Sequence, residues 1–141
     1  MPFAAKTLSI LSYQVENQLA DKVCAMFEMH GSRVSTRYRD LYDIGLIALV
    51  LDVDHEALRN ALRRQEEIRR ISLPSRMEFP SSDWPSAYEK FVGTLHKPVP
   101  HIESADKALF VAGELLDPVL RSINQPDAYC DRALRRPRTS G

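Results

Sequence analysis

Apolar positions along the chain recur mostly at helical spacing. Between residues 16 and 30, Leu19, Val23, Met26, Phe27 and His30 fall on one arc at the i, i+3, i+4, i+7 spacing of an amphipathic helix. Gly31 and Ser32 are expected to stop it. A second helix is expected over residues 37–51, capped by Ser35 or Thr36. After Asp43 it reads Ile-Gly-Leu-Ile-Ala-Leu-Val-Leu, apolar on every side, which marks a buried central helix. Asp52 or Asp54 is expected to cap a third helix over residues 55–71, with Leu58, Ala61, Leu62 and Ile68 as its core stripe. Pro74, Pro80 and Pro85 punctuate a loop over residues 73–85. Pro85 suits the first turn of a fourth helix carrying Tyr88, Phe91, Val92 and Leu95. Ser104 is placed to cap a fifth through Ala108, Val111, Ala112, Leu115 and Val119, bent near Pro118. Only residues 7–15 (TLSILSYQV), with their β-branched positions, look extended.

The expected fold class is therefore all-α: a bundle of about five helices around a buried central helix, with one orphan N-terminal β-strand. Residues 1–15 read as a remnant segment, residues 16–123 as the helical domain, and residues 124–141 as a flexible arginine-rich tail.

Composition adds limits. The 141 residues suit a single domain, and nineteen basic side chains balance nineteen acidic ones, so no global field argues for nucleic acid or membrane. The two cysteines, Cys24 and Cys130, lack metal-ligand spacing and read as reduced thiols of a cytoplasmic protein. No apolar run approaches the roughly 18 residues that a membrane span needs. His30, His55, His96 and His101 are too scattered to suggest a metal site.

Charge is nonetheless concentrated where the central helix begins. Asp40 and Asp43 lie at i and i+3 and share one side of that helix, while Arg39 and Asp43 at i and i+4 are placed to pair along it. Lys22 sits on the shoulder of the first helix, about 40° beyond Met26, where its stem is buried and its ammonium is free to reach a cleft. Two readings stay open. In one, Arg39 and Asp43 form a structural ion pair and Asp40 serves the positive end of the helix dipole. In the other, Lys22, Arg37 and Asp40 meet in a polar cleft suited to a triphosphate and an activated hydroxyl. The lysine then neutralises phosphate oxygens, and the carboxylate binds magnesium or helps remove a proton.

The stretch "ADKVCAMFEMHGSRVSTRYRDLYDIGLI" resembles the second half of the AbiEii/AbiGii-type nucleotidyltransferase toxins of bacterial toxin–antitoxin and phage-defence systems. The similarity continues through "ALRNALRRQEEIRRISLP", Trp84 and "LLDPVL", from about Tyr13 to Leu120. The resemblance implies a helical half that completes a nucleotide site with Lys22 and Asp40, the latter also a metal ligand, with Asp43 as the other candidate and Arg37, Arg39 and Asp43 in support. It further implies magnesium and a nucleoside triphosphate as cofactors, RNA such as tRNA ends as acceptor, and a cognate antitoxin as partner. The family's Gly-Gly-Ser/Thr element and first acidic pair are not found upstream of Lys22. The chain is therefore expected to be the C-terminal half from a truncated or split gene, inactive without a nucleotidyltransferase core. The alternative is a non-catalytic helical module that binds an antitoxin, a separate catalytic half or RNA.

Arg59, Arg63 and Arg70 on the third helix are candidates for RNA phosphates; the plainer reading is a solvated face on which Glu66 and Glu67 pair with arginines. Tyr38 and Tyr42, one turn apart, suit either base stacking or packing, and Trp84 reads as a core anchor.

Overall fold

The first helix, α1, spans Pro2–Phe27 and buries Val15, Leu19, Val23 and Met26 along one side. The computed structural model describes residues 2–29 and 31–124; His30 and the expected tail fall outside them. The orphan strand expected over residues 7–15 is not there, because that stretch is the helix itself. Leu8, Leu11, Val15 and Leu19 repeat at helical spacing as well. This continuity with the downstream arc outweighs the weak strand preference of isolated Thr and Ile positions. Among the described residues there is no strand.

After α1 come α2 (Tyr38–Val50), α3 (His55–Arg69), α4 (Trp84–Val92), a 3-10 turn (Pro100–Ile102) and α5 (Ala105–Asn124). α1 and α2 run antiparallel: Lys22 meets Asp40 and Asp43 near the start of α2, whereas Glu16 accepts the Asp54 amide beyond its end. α2 packs against α1, α4, α5 and the 3-10 turn, which makes it the central helix that its apolar sequence suggests. Its Gly45 permits the approach of the 3-10 turn, since a Cβ there would stand 2.9 Å from Ile102 Cγ2.

Burial of α2 does not extend to its end. Leu49 and Val50 in its last turn and the C-cap Leu51 are exposed, Val50 by 73%. Ile68, expected in the core, is 71% exposed. At that end of α3, Arg69 donates to Asp21 on α1 and to Glu28 just beyond it, while Ile68 faces solvent.

The helix ends are set by local chemistry. Asp54, rather than Asp52, caps α3 by accepting the Glu56 amide at 3.1 Å. Arg70 closes that helix in the left-handed conformation, at φ 56°. Pro85 stands in the first turn of α4, and Ser104 Oγ accepts the Lys107 amide at the start of α5. Neither Ser35 nor Thr36 is the N-cap of α2. That position is Arg37, whose amide donates to Ser35 Oγ at 3.2 Å. Among the described residues, no helix is long and apolar enough to cross a membrane.

Candidate functional site

The α1–α2 crossing brings the charges at the start of the central helix together with Lys22. The Lys22 ammonium donates to Asp43 Oδ2 at 3.0 Å and to Asp40 Oδ1 at 3.5 Å. Arg37 Nε donates to the other Asp40 oxygen at 2.9 Å. Arg39 lies 3.8 Å from Asp43 Oδ2 and is mostly in solvent. The cluster therefore grades from a buried carboxylate (Asp40, 8% exposed) through Asp43 and Lys22 to two open guanidinium groups.

Local sequence explains why these side chains converge. Asp40 and Asp43 point to one side of α2 because they are three residues apart. Lys22 reaches them from a helix whose adjoining face is locked into the core by Val23 and Met26. Arg37 is fixed at the N-cap by the hydrogen bond that its backbone N–H donates to Ser35 Oγ, and the Ser35 carbonyl accepts the Trp84 indole N–H at 2.9 Å. Trp84 is buried and meets the Tyr38 ring edge-on, with ring centroids 4.7 Å apart. The turn that carries Arg37 is thus anchored to α4.

Burial alone would lower the Lys22 pKa, but the hydrogen bond and charge of Asp43, together with Asp40, outweigh it and hold the ammonium above the usual lysine value. The site presents a fixed cation with one open side, backed by two carboxylates. It suits an anionic group that approaches from solvent to share the ammonium and the outer arginines.

The same arrangement does not fit a divalent metal ion. Both Asp40 oxygens already face cations, and Asp43 faces Lys22 and Arg39. Among the described residues, no group of three or more carboxylate, histidine or cysteine side chains is placed to hold a metal.

The third-helix arginines are not one surface. The Arg59 side chain is largely buried, 3.9 Å from Glu56, whereas Arg63 and Arg70 are exposed. Arg64 donates to Asn17, and Arg69 ties α3 to Asp21 and Glu28. Glu66 does not serve as the expected surface partner, since its Oε2 accepts the Leu73 amide at 2.8 Å. Tyr38 packs on Trp84, and the buried Tyr42 hydroxyl accepts the Val99 amide, so both rings are held within the fold.

Sequence spacing brings out the Lys22–Asp40 group but gives no sign of the Ser35–Trp84 anchor. Its partners lie 49 residues apart, and one of them is a backbone carbonyl. No curated protein and no solved structure matches the chain. The family described as nucleotidyl transferase AbiEii toxin, type IV toxin–antitoxin system, matches over residues 2–111, a span that contains the whole Lys22–Asp43 cluster, and the chain belongs to that family.

Proposed function

We propose that this chain supplies the lysine–aspartate half of a nucleotide site in an enzyme that transfers nucleotides from a nucleoside triphosphate to RNA, such as tRNA ends. The observation that carries the reading is the Lys22 ammonium, held by Asp43 and Asp40 at the helix crossing while one side stays open to solvent. Lys22 neutralises phosphate oxygens of the incoming triphosphate. Asp43 and Asp40 keep the ammonium aimed, and Arg37 and Arg39 extend the positive rim. A positioned cation is worth most where charge accumulates on the transferred phosphoryl group. Because these carboxylates already balance cations, magnesium and its ligands belong outside this set of residues. The chain by itself is therefore inactive and works with a nucleotidyltransferase core. Exposed Arg63 and Arg70 are available for RNA phosphates; Arg59 is not.

The second reading is a non-catalytic helical module that binds an antitoxin, a catalytic half or RNA. The exposed Leu49, Val50 and Leu51 at the end of α2 favour it.

The test is transfer of labelled nucleotide to bulk tRNA by the purified chain, alone and with a nucleotidyltransferase core from a longer family member. Transfer is expected only in the mixture, and is expected to disappear with Lys22→Ala. Labelling by the chain alone would overturn the assignment of inactivity. A mixture whose activity ignores both Lys22→Ala and Asp40→Ala would remove the site assignment and leave the interaction reading.

A further inference from the structure

Two exposed surfaces of the chain carry opposite charge beside an exposed apolar side chain. On the outer side of α5, Phe110 is 68% exposed. Asp106, Glu114 and Asp117 lie within about 40° of it around the helix. Glu78 joins them from the loop before α4, where grooves of about 660 and 500 Å3 border the ring. These four carboxylates outnumber the cations Arg76 and Lys107 that line the same grooves. Asp117 also accepts the Met77 amide, which ties the loop to the ridge.

The second surface is the rim of the Lys22 cluster. The Arg37 and Arg39 side chains are 61% and 71% exposed, and Arg33 is exposed on the connection that leads into α2. Asp40 and Asp43 are less exposed and bond Lys22, so guanidinium groups form the outer layer. Met29, 53% exposed, stands on the same connection between α1 and α2.

We propose that these surfaces meet between two copies of the chain, the Phe110 ridge of one seated on the arginine rim of the other. Charge complementarity selects this occupant. Nineteen basic and nineteen acidic residues leave the whole chain neutral, so copies do not repel one another and the segregated patches set their orientation. Guanidinium groups pair with carboxylates and stack on ring faces, and a methionine thioether suits the edge of an aromatic ring. The contact is head-to-tail, because the two patches are unlike. Carboxylates offer the rim the same kind of anionic oxygen as a phosphate does, so a seated copy covers the open side of Lys22. Its consequence for nucleotide transfer rests on the proposed function; the contact itself does not.

Sedimentation of the full chain at low salt tests the contact. The mean mass is expected to rise with concentration, and the rise is expected to vanish at about 1 M salt, where the Debye length is about 3 Å. Asp106→Lys/Glu114→Lys and Arg33→Glu/Arg39→Glu change exposed side chains only, and each is expected to sediment as a monomer. Mixed in equal amounts, the two variants again face opposite charges at both patches, so association is expected to return. Phe110→Ser keeps every charge and is expected to weaken association roughly tenfold or more, as loss of a central aromatic anchor does. Circular dichroism and the emission of buried Trp84 report whether each variant is folded. A wild-type chain that stays monomeric overturns the proposal, as does association that survives either charge reversal. A mixture of folded variants that stays monomeric overturns it too. The measurement uses no nucleotide and no catalytic core, so its failure is distinct from the failure of Lys22→Ala to abolish transfer.

Discussion

Lys22 stands closer to Asp43, at 3.0 Å, than to Asp40, at 3.5 Å, although Asp40 is the more deeply buried carboxylate. The two aspartates therefore differ in what their removal leaves behind. Asp40 offsets both Arg37 and Lys22 from within the fold, whereas Asp43 is part-exposed and its loss leaves Lys22 with Asp40. Asp40→Asn is expected to cost about 1–3 kcal/mol of folding stability. Asp43→Asn is expected to cost less than about 1 kcal/mol. Urea unfolding of the two variants checks the order, and a larger loss for Asp43→Asn would contradict it.

The raised pKa of Lys22 gives a pH signature with a definite sign. A group whose folded pKa lies above its unfolded value binds its proton more tightly in the folded state. The stability it contributes is complete below the unfolded pKa and is lost as pH rises through the folded pKa. For Lys22 that loss begins near the usual lysine value of 10.5 and continues upward. Tyr88 and Cys24, both raised by burial, add their own alkaline losses. A difference curve removes these shared contributions. Thermal unfolding of wild type and Lys22→Met from neutral pH to above 10.5 is expected to show the wild-type advantage shrinking through that window. A constant difference across it would show that the Asp43 and Asp40 contacts do not hold the ammonium.

Trp84 links the core to the site through one hydrogen bond. Trp84→Phe keeps an aromatic ring against Tyr38 but leaves the buried Ser35 carbonyl without its donor. A cost of about 1–3 kcal/mol is expected from the orphaned carbonyl. Ser35 also accepts the Arg37 amide, so the Arg37–Asp40 contact is expected to loosen. The check is the Arg37 side-chain Nε–H resonance, which is expected to exchange faster with water in Trp84→Phe than in wild type. Unchanged exchange would separate the anchor from the charged cluster.

The parts of this fold legible in the sequence are those governed by local spacing. The periodic apolar positions mark five helices, and Pro85, Ser104 and Asp54 mark helix starts by side-chain chemistry that acts within a few residues. The pairing of Asp40 and Asp43 on one side of α2 is likewise a matter of helix geometry. What escaped depended on distant partners. Residues 7–15 look extended in isolation but continue the register of α1. Ile68 looks like core until Arg69 is seen to reach Asp21 on α1 and Glu28 just beyond its end. Ser35 has the composition of a helix cap, yet its position is dictated by Trp84 in another element. Spacing brings Lys22 to the correct shoulder of α1, but the stronger contact with Asp43 follows only from the antiparallel α1–α2 crossing.

Gly45 tests whether the central helix is as tightly covered as its packing implies. A methyl group there would meet Ile102 Cγ2 at 2.9 Å and Cδ1 at 3.3 Å, and Ile102 is fully buried in a turn held by the Tyr88 hydroxyl, which donates to its carbonyl at 2.7 Å. Alanine is the better helix former by up to about 1 kcal/mol. Overpacking of a filled core costs typically about 1–3 kcal/mol. The clash is with a branched side chain close to its backbone, so the steric effect wins and Gly45→Ala is expected to be net destabilising by about 1–2 kcal/mol. In an Ile102→Ala background the obstacle is gone and only the helix-forming gain remains, so the same substitution is expected to become neutral or stabilising. Denaturant unfolding of the two single variants and the double variant measures this coupling. Additive effects would mean that the 3-10 turn moves aside freely and that Gly45 is not required for its approach.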